Sequence, residues 1–325
     1  MKRLVYRIGK NSFISFLLWL MYPFFKIKFD KFTKSKTSIR QPFEICITVD
    51  TEPGYIKEDY TREWMFEGND NPIGYTAGIK HLLQLADKYD IKLTFLLCTK
   101  ALMYKEKEDI INLLKKAYKS GHEIGLHHHP RRNPLIGGKY ESSKFYKIEE
   151  IRKNLRKEKA LVKKYLGKEI VNNLISFRWG NWALFKHAAV ALEKEGFRID
   201  SSAVPGIKGH TKDDRIYDWS DEKRRFPWIL DNSKVVEIPI ATFTMFGIKF
   251  KADPALNSQI LINCFKKYYN NLIIRSKTFK FVVITHSNEM VMKDGSPSHV
   301  FKNLEKFVKY VKMYDVKFNT LASLH

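Results

Sequence analysis

The sequence predicts an α/β protein folded as one barrel of seven or eight βα units. Three observations predict it. From residue 43 onward, short apolar runs alternate with amphipathic segments, the rhythm of parallel βα units. Composition does not shift along those residues, which favours one barrel over two domains. The residues that close five of the apolar runs are acids, histidines or an arginine, and strand ends are where such a barrel builds its active site.

The elements follow in order. Phe43–Val49 (FEICITV) is rich in β-branched and apolar residues and reads as the first strand. Thr76–Tyr89 places Ile79, Leu82, Leu83 and Ala86 on one helical stripe. Ile91–Leu97 is the second strand, Asp109–Lys119 a helix, and Glu123–His127 a short third strand after the Ser120-Gly121 turn. A long basic helix covers Lys144–Leu166, with Ile148, Ile151, Leu155 and Val162 facing inward. Leu174–Phe177 is the fourth strand, Trp182–Glu195 a helix and Phe197–Ser201 the fifth strand. Ala203–Lys234 is irregular and reads as a folded surface insertion, because Trp219 and Trp228 need burial. Val235–Ile240 is the sixth strand, Asp253–Arg275 a helix, Lys280–Thr285 the seventh strand, Ser298–Tyr314 the closing helix and Val316–Thr320 a short eighth strand.

Hydrophobic residues make up 44% of the 325 and charged residues 29%, a balance that excludes a disordered chain, a coiled coil and a collagen-like protein. The three cysteines, Cys46, Cys98 and Cys264, are odd in number and far apart, so neither a disulfide framework nor a cysteine zinc module is expected. There are 58 basic and 35 acidic residues, a formal net charge of +23, which favours an anionic partner. No nucleic-acid module and no GxGxxG or P-loop pattern accompanies that charge, so nucleic acid is not an expected partner.

Residues 1–40 form a separate extension that carries ten Lys or Arg against one acid, and residues 41–325 form the barrel. Within the extension, Asn11–Phe25 is an uncharged run of fifteen residues, short of the ~20 needed to span a bilayer as a helix. No small-residue cleavage site follows it, only Lys26, Lys28 and bulky aromatics. Two readings stand: an interfacial segment with basic flanks against an anionic membrane surface, or an apolar extension packed on the barrel. The first implies a cytoplasmic enzyme peripheral to the membrane; export with membrane anchoring is the alternative.

At the expected strand ends stand Asp50 and Glu52, His127-His128-His129, Arg178 and Trp179, Asp200, and His286. Imidazole and carboxylate together suit zinc and its first-row neighbours. In an extended strand end His127 and His129 point the same way, so both reach one ion while His128 faces elsewhere. Asp50 and Glu52 also share a face, and a pair of acids there divides labour, one binding metal and the other accepting a proton. Arg178 is placed to hold the basic carboxylate through a charge-assisted hydrogen bond, and His286 to protonate a leaving group. Asp200 is a candidate to orient His286 or bind substrate, with turn capping as the plain alternative. Trp179, Trp182 and Trp219 are candidates for stacking on sugar rings, against simple packing.

These segments carry a resemblance. FEICITVDTE, GHEIGLHHHP, ISFRWGNW, RIDSSAVP and FVVITHSNE resemble, in order and rough spacing, the motifs of the polysaccharide deacetylase family (NodB homology, carbohydrate esterase family 4), over residues 43–320. The resemblance implies a distorted (β/α)7 barrel, one divalent metal ion, and a hydrolase that removes N-acetyl groups from an amino sugar in a glycan or glycan precursor; a membrane-bound extension would make a lipid-linked glycan the expected substrate. It implies Asp50 as base, His127 as a metal ligand, Arg178 as the residue that orients the base and His286 as the proton donor. Two departures mark a divergent branch. Thr51 separates Asp50 from Glu52 where the family has adjacent acids, so either Glu52 takes the metal position or Asp50 itself binds the ion. Position 131 is arginine where the family's second histidine falls, so His129 must substitute for it. The set expected at the metal is therefore Glu52, His127 and His129. A catalytically silent carbohydrate-binding barrel of the same fold is the competing expectation.

Overall fold

The structure, a computed structural model, describes residues 43–52, 72–104, 107–130, 142–208, 219–245, 247–271 and 279–324. The extension of residues 1–40 and position 131 lie outside them, as do the expectations placed there. Among the described residues no helix is long and apolar enough to cross a membrane.

Among the described residues the strands are β1 Phe43–Thr51, β2 Leu93–Leu97, β3 Glu123–His128, β4 Ser176–Trp179, β5 Ile199–Asp200, β6 Trp228–Ile229, β7 Val236–Glu237, β8 Thr242–Met245, β9 Ile248–Lys251, β10 Lys280–His286 and β11 Val316–Phe318. The α-helices among the described residues are α1 Ala77–Tyr89, α2 Lys107–Lys119, α3 Ile148–Leu166, α4 Lys168–Asn172, α5 Ala188–Lys194, α6 Ser258–Tyr269 and α7 His299–Val311. The main sheet runs β10-β1-β2-β3-β4-β5-β7-β6, with β11 beside the start of β1. Its seven strands from β10 to β7 pair in parallel, and β6 returns antiparallel to β7. The sheet curls until Ile240, just after β7, makes a parallel bridge to Val282 of β10. The result is a half-barrel of seven parallel strands, as the sequence predicts.

Strand parity divides the molecule into two apolar layers. In β1, Ile45, Ile47 and Val49 face outward into the core shared with the helices, while Cys46 faces the barrel interior. In β10, Phe281 and Val283 point outward and Val282 and Ile284 inward. The helices cover the outer layer with the stripes expected of them: Ile79, Leu82, Leu83 and Ala86 of α1, and Leu304, Phe307, Val308 and Val311 of α7, are all buried.

The segment after β11 closes the floor of the half-barrel. Leu321 packs against Cys46 and Val282 inside, its N–H donates to Thr94 Oγ1 at 3.0 Å, and the Ala322 N–H donates to Glu123 Oε2 at 3.0 Å. The buried Lys280 ammonium caps the same segment through the Thr320 carbonyl at 3.1 Å and the Ser323 hydroxyl at 2.7 Å.

Several boundaries differ from expectation for local reasons. The helix expected from Trp182 begins at Ala188, because Asn181 (φ 51°) and Trp182 (φ 55°) are left-handed and cannot sit in a right-handed helix. The long basic helix begins at Ile148, after a short turn in which the Ser142 hydroxyl accepts the Lys144 N–H at 3.4 Å. The fifth and sixth strands shrink to two-residue ladders at Ile199–Asp200 and Val236–Glu237. The β8–β9 hairpin is absent from the sequence expectation, although TFTM and IKFK alternate with period two around Gly247, at φ +73°.

Candidate active site

The register of β1 against β10 sets Asp50 beside His286, and that of β3 against β4 sets His127 beside Arg178. Parity then turns Asp50, Glu52, His127, His129, Arg178 and His286 to the interior at the carboxyl ends of the strands. Thr51 points the other way. Its hydroxyl donates to the Leu96 carbonyl at 3.1 Å and accepts the Cys98 N–H at 2.9 Å, so it ties β1 to β2 and offers nothing to an ion.

Glu52, His127 and His129 are buried and bring ligand atoms within 4.8 Å of one another. His127 Nε2 lies 2.9 Å from His129 Nε2 and 3.6 Å from Glu52 Oε1, and His129 Nε2 lies 3.7 Å from that oxygen. Three donors around a tetrahedral zinc at ~2.0–2.1 Å stand about 3.3 Å apart, so these spacings suit a small divalent ion. The donor chemistry fits as well. His127 uses Nδ1 on the Arg178 carbonyl at 3.3 Å, which leaves Nε2 with a lone pair toward Glu52 and His129. Among the described residues His129 Nδ1 has no hydrogen-bond partner, so packing alone backs that side of the ring. Gly180 provides the packing: a Cβ there would fall 2.4 Å from His129 Nδ1, so the backbone of the loop after β4 forms the wall behind the ring.

His128 has the opposite parity. Its Nδ1 meets Glu158 Oε2 of α3 at 2.8 Å, and its ring stands edge-on to Trp179 at 4.8 Å. It fastens a helix to the sheet.

The charge balance rests on Arg178. Its Nη1 donates to Asp50 Oδ1 at 2.6 Å, its Nη2 to the Thr48 and Ser201 hydroxyls at 3.0 Å each, and its Nε to the Ser201 carbonyl at 2.7 Å. The guanidinium thus spends one donor on Asp50 and three on neighbours that fix its plane. Burial would raise the Asp50 carboxyl, but Arg178, with His127 and His286, holds it below its ordinary value. Burial likewise opposes ionisation of Glu52, and His286 with the two histidines beside it pulls that carboxyl well down. His286 responds in the other direction. Burial would lower its imidazolium, but Glu289, Glu52 and Asp50 raise it to about 9.

Two residues expected at the substrate stand on the outer face of the sheet. Trp179 is fully buried and packs with Phe177 and His128, because it follows the inward-facing Arg178 by one residue. That ring offers no face to a sugar. Asp200 pairs in register with the outward Phe177 and so turns from His286. Its carboxylate accepts from the Ser202 hydroxyl and N–H at 2.7 and 3.2 Å, and it lies beside Glu237, its register partner on β7. Trp182 is 9% exposed and lies under the Lys251 ammonium, 4.3 Å from the ring centroid, and Trp219 donates its indole N–H to the Trp182 carbonyl at 3.0 Å.

Acids and imidazoles gathered at the carboxyl ends of a parallel half-barrel define the NodB-type deacetylase fold. The family model described as polysaccharide deacetylase matches residues 66–195 of the chain. Three solved structures share the fold at low identity. A chain from Mycobacterium smegmatis assigned as a polysaccharide deacetylase is 15% identical, with a TM-score of 0.56 and coverage of 92% of this chain and 93% of that one. A probable polysaccharide deacetylase from Pseudomonas aeruginosa PAO1 is 12% identical, with a TM-score of 0.57 and coverage of 87% and 89%. The Puue allantoinase is 13% identical, with a TM-score of 0.55 and coverage of 87% and 88%. Identities this low speak for the fold alone. No curated protein matches the chain.

Proposed function

We propose that the chain is a metal-dependent hydrolase of amide bonds that removes N-acetyl groups from an amino sugar in a glycan or glycan precursor. One observation carries this reading: Asp50 Oδ2 lies 3.8 Å from His127 Nε2 and 3.9 Å from His286 Nε2, so one carboxylate adjoins both the Glu52–His127–His129 group and a second imidazole. A divalent ion held by Glu52, His127 and His129, zinc before other first-row metals, supplies Lewis acidity toward the acetyl carbonyl and the attacking water. Arg178 keeps Asp50 ionised, and Asp50 takes the proton from that water as it attacks. His286, still protonated at neutral pH, gives the proton on Nε2 to the departing amine nitrogen. No covalent intermediate on the protein is required.

Acetate release from a panel of N-acetylated glycans, with and without chelator, tests the reading. Chelator-sensitive release that falls roughly 10²–10⁴-fold in His286→Ala supports it. Glycan binding with full metal content and no release would make the chain a silent carbohydrate-binding barrel.

The extension supports a membrane-surface location and a lipid-linked substrate. Phe13–Phe25 is flanked by Lys2, Arg3, Arg7 and Lys10 on one side and Lys26, Lys28 and Lys31 on the other. Basic residues beside an anionic leaflet contribute about 1 kcal/mol each, weakening with salt. Removal of residues 1–40 should leave a metal-binding barrel that no longer sediments with anionic vesicles. Unchanged sedimentation would overturn this location.

A further inference from the structure

We propose that Glu289, and not Asp200, is the positioning residue for His286: it takes the Nδ1 proton and thereby aims Nε2 at Asp50 and the substrate. The catalytic part of this inference rests on the deacetylase reading; the pairing itself does not.

The geometry begins at the end of β10. After His286 the chain turns tightly through Ser287–Met290, and Glu289 Oε2 comes to 3.2 Å from His286 Nδ1. Neither side chain is loose, with exposures of 14% for His286 and 7% for Glu289. A carboxylate held there accepts the Nδ1–H and leaves the other nitrogen to face the reacting groups, the arrangement by which an acid sets an imidazole's tautomer and plane.

The turn that carries Glu289 is built to stay in place. The Ser287 hydroxyl accepts the Glu52 N–H at 2.9 Å and donates to the Glu52 carbonyl at 3.1 Å, locking the turn to β1. The Ser298 hydroxyl, at the start of α7, donates to the Glu289 carbonyl, and the Ser298 N–H donates to the Met290 carbonyl at 3.0 Å. Two glycines let the preceding loop and α1 press against the same turn. A Cβ on Gly78 would fall 2.1 Å from the Ser287 carbonyl oxygen, and one on Gly74 would fall 2.8 Å from Asn288 Cβ. Four residues outside the turn, Glu52, Ser298, Gly74 and Gly78, therefore hold in place the backbone that carries Glu289.

The charged groups that face His286 are Asp50 of β1, Glu52 just past the end of β1 and Glu289 of the turn, and His299 of α7 faces Glu289 in turn. Asp50 is already committed to Arg178, and Glu52 stands with His127 and His129. Glu289 alone among the three meets Nδ1. Asp200 is excluded by strand parity and by its bonds to Ser202.

Proton NMR of the whole chain tests the pairing directly. A downfield Nδ1–H signal that is missing from His286→Gln belongs to this ring. It should vanish in Glu289→Ala, and in Glu289→Gln its exchange with water should speed roughly tenfold or more, because a charge-assisted bond becomes a neutral one. Asp200→Asn should leave it in place. An unchanged signal in both Glu289 variants, or its loss in Asp200→Asn, would overturn the assignment. In the acetate-release assay Glu289→Gln should lower kcat roughly 10- to 100-fold with KM and metal content little changed. If no glycan in the panel releases acetate, the deacetylase reading fails, and the NMR signal still decides whether Glu289 holds His286.

Discussion

Arg178 Nη1 and Asp50 Oδ1 lie 2.6 Å apart across the interior of the half-barrel, with side-chain exposures of 0% and 2%. The pair joins β4 to β1 without sharing a ladder, since β2 and β3 lie between them. A buried guanidinium needs partners for its donors, and Asp50, Thr48 and Ser201 together take four of its five N–H groups. Asp50 is therefore positioned from across the interior.

Removing the cation should be costly in two ways. Arg178→Ala leaves an uncompensated buried carboxylate, a loss of about 3–5 kcal/mol that thermal or denaturant unfolding would register. Arg178→Lys keeps the charge but has three donors on one nitrogen, against the four acceptor atoms that the planar guanidinium reaches. Because Arg178 holds Asp50 below its ordinary value against burial, either variant should move the acid limb of the kcat/KM profile to higher pH. An acid limb that stays in place would separate Asp50 from the role of base.

The histidine run separates by parity. His127→Ala, His129→Ala and Glu52→Gln should each lower bound metal at least roughly tenfold, measured by metal analysis after dialysis. His128→Ala should keep its metal and lose stability instead, because it breaks the contact between β3 and Glu158 of α3. Metal loss in His128→Ala would place the wrong histidine at the site.

Gly180 makes a sharper test, because it carries no ligand atom. Its alanine Cβ would lie 2.4–2.8 Å from the Nδ1, Cε1 and Cγ atoms of His129, closer than packed atoms approach. Gly180→Ala should weaken metal binding by displacing that ring, while His127 and Glu52 stay intact. Full metal affinity in this variant would show that His129 is dispensable.

The pH dependence follows from His286. Its folded value of about 9 lies above the ~6.5 of a free imidazole, so the charged donor persists at neutral pH. Activity should fall as pH rises through about 9. The sign for stability is the same: the contribution is complete below about 6.5 and is lost as pH rises through the folded value. Glu289→Gln should bring the alkaline limb to lower pH, since it removes the first of the carboxylates that raise the imidazolium.

Much of the framework is legible in the amino acids because parallel strands buried on both faces announce themselves as apolar runs. FEICITV and KFVVIT needed no context. The ends of those runs also told which chemistry gathers where, because His127 and His129 share a parity that His128 lacks. Parity could have carried the reading further. It puts Trp179 on the opposite face from Arg178, and it turns Asp200 outward once β5 is registered against β4, which only the folded sheet supplies. Glu289 was visible as an acid three residues after His286, but its pairing depends on a turn that Ser298, Gly74 and Gly78 shape from distant parts of the chain. The left-handed pair Asn181-Trp182 escaped for the same reason, since neither residue type marks such a backbone by itself.

The position of β1 between β2 and β10 bears on the order in which the molecule comes together. Thr48 and Val283, joined by a hydrogen bond between neighbouring strands, are 235 residues apart in the chain. Until β10 has been synthesised, the strand that bears Asp50 and Glu52 has one edge bare, and contacts of such separation are slow to close. Helices and the β2–β4 ladders can condense well before that. The cluster of Asp50, Glu52, His127, His129 and His286 is then a product of the last cooperative step, and in refolding the capacity to bind metal should return after most of the helical signal.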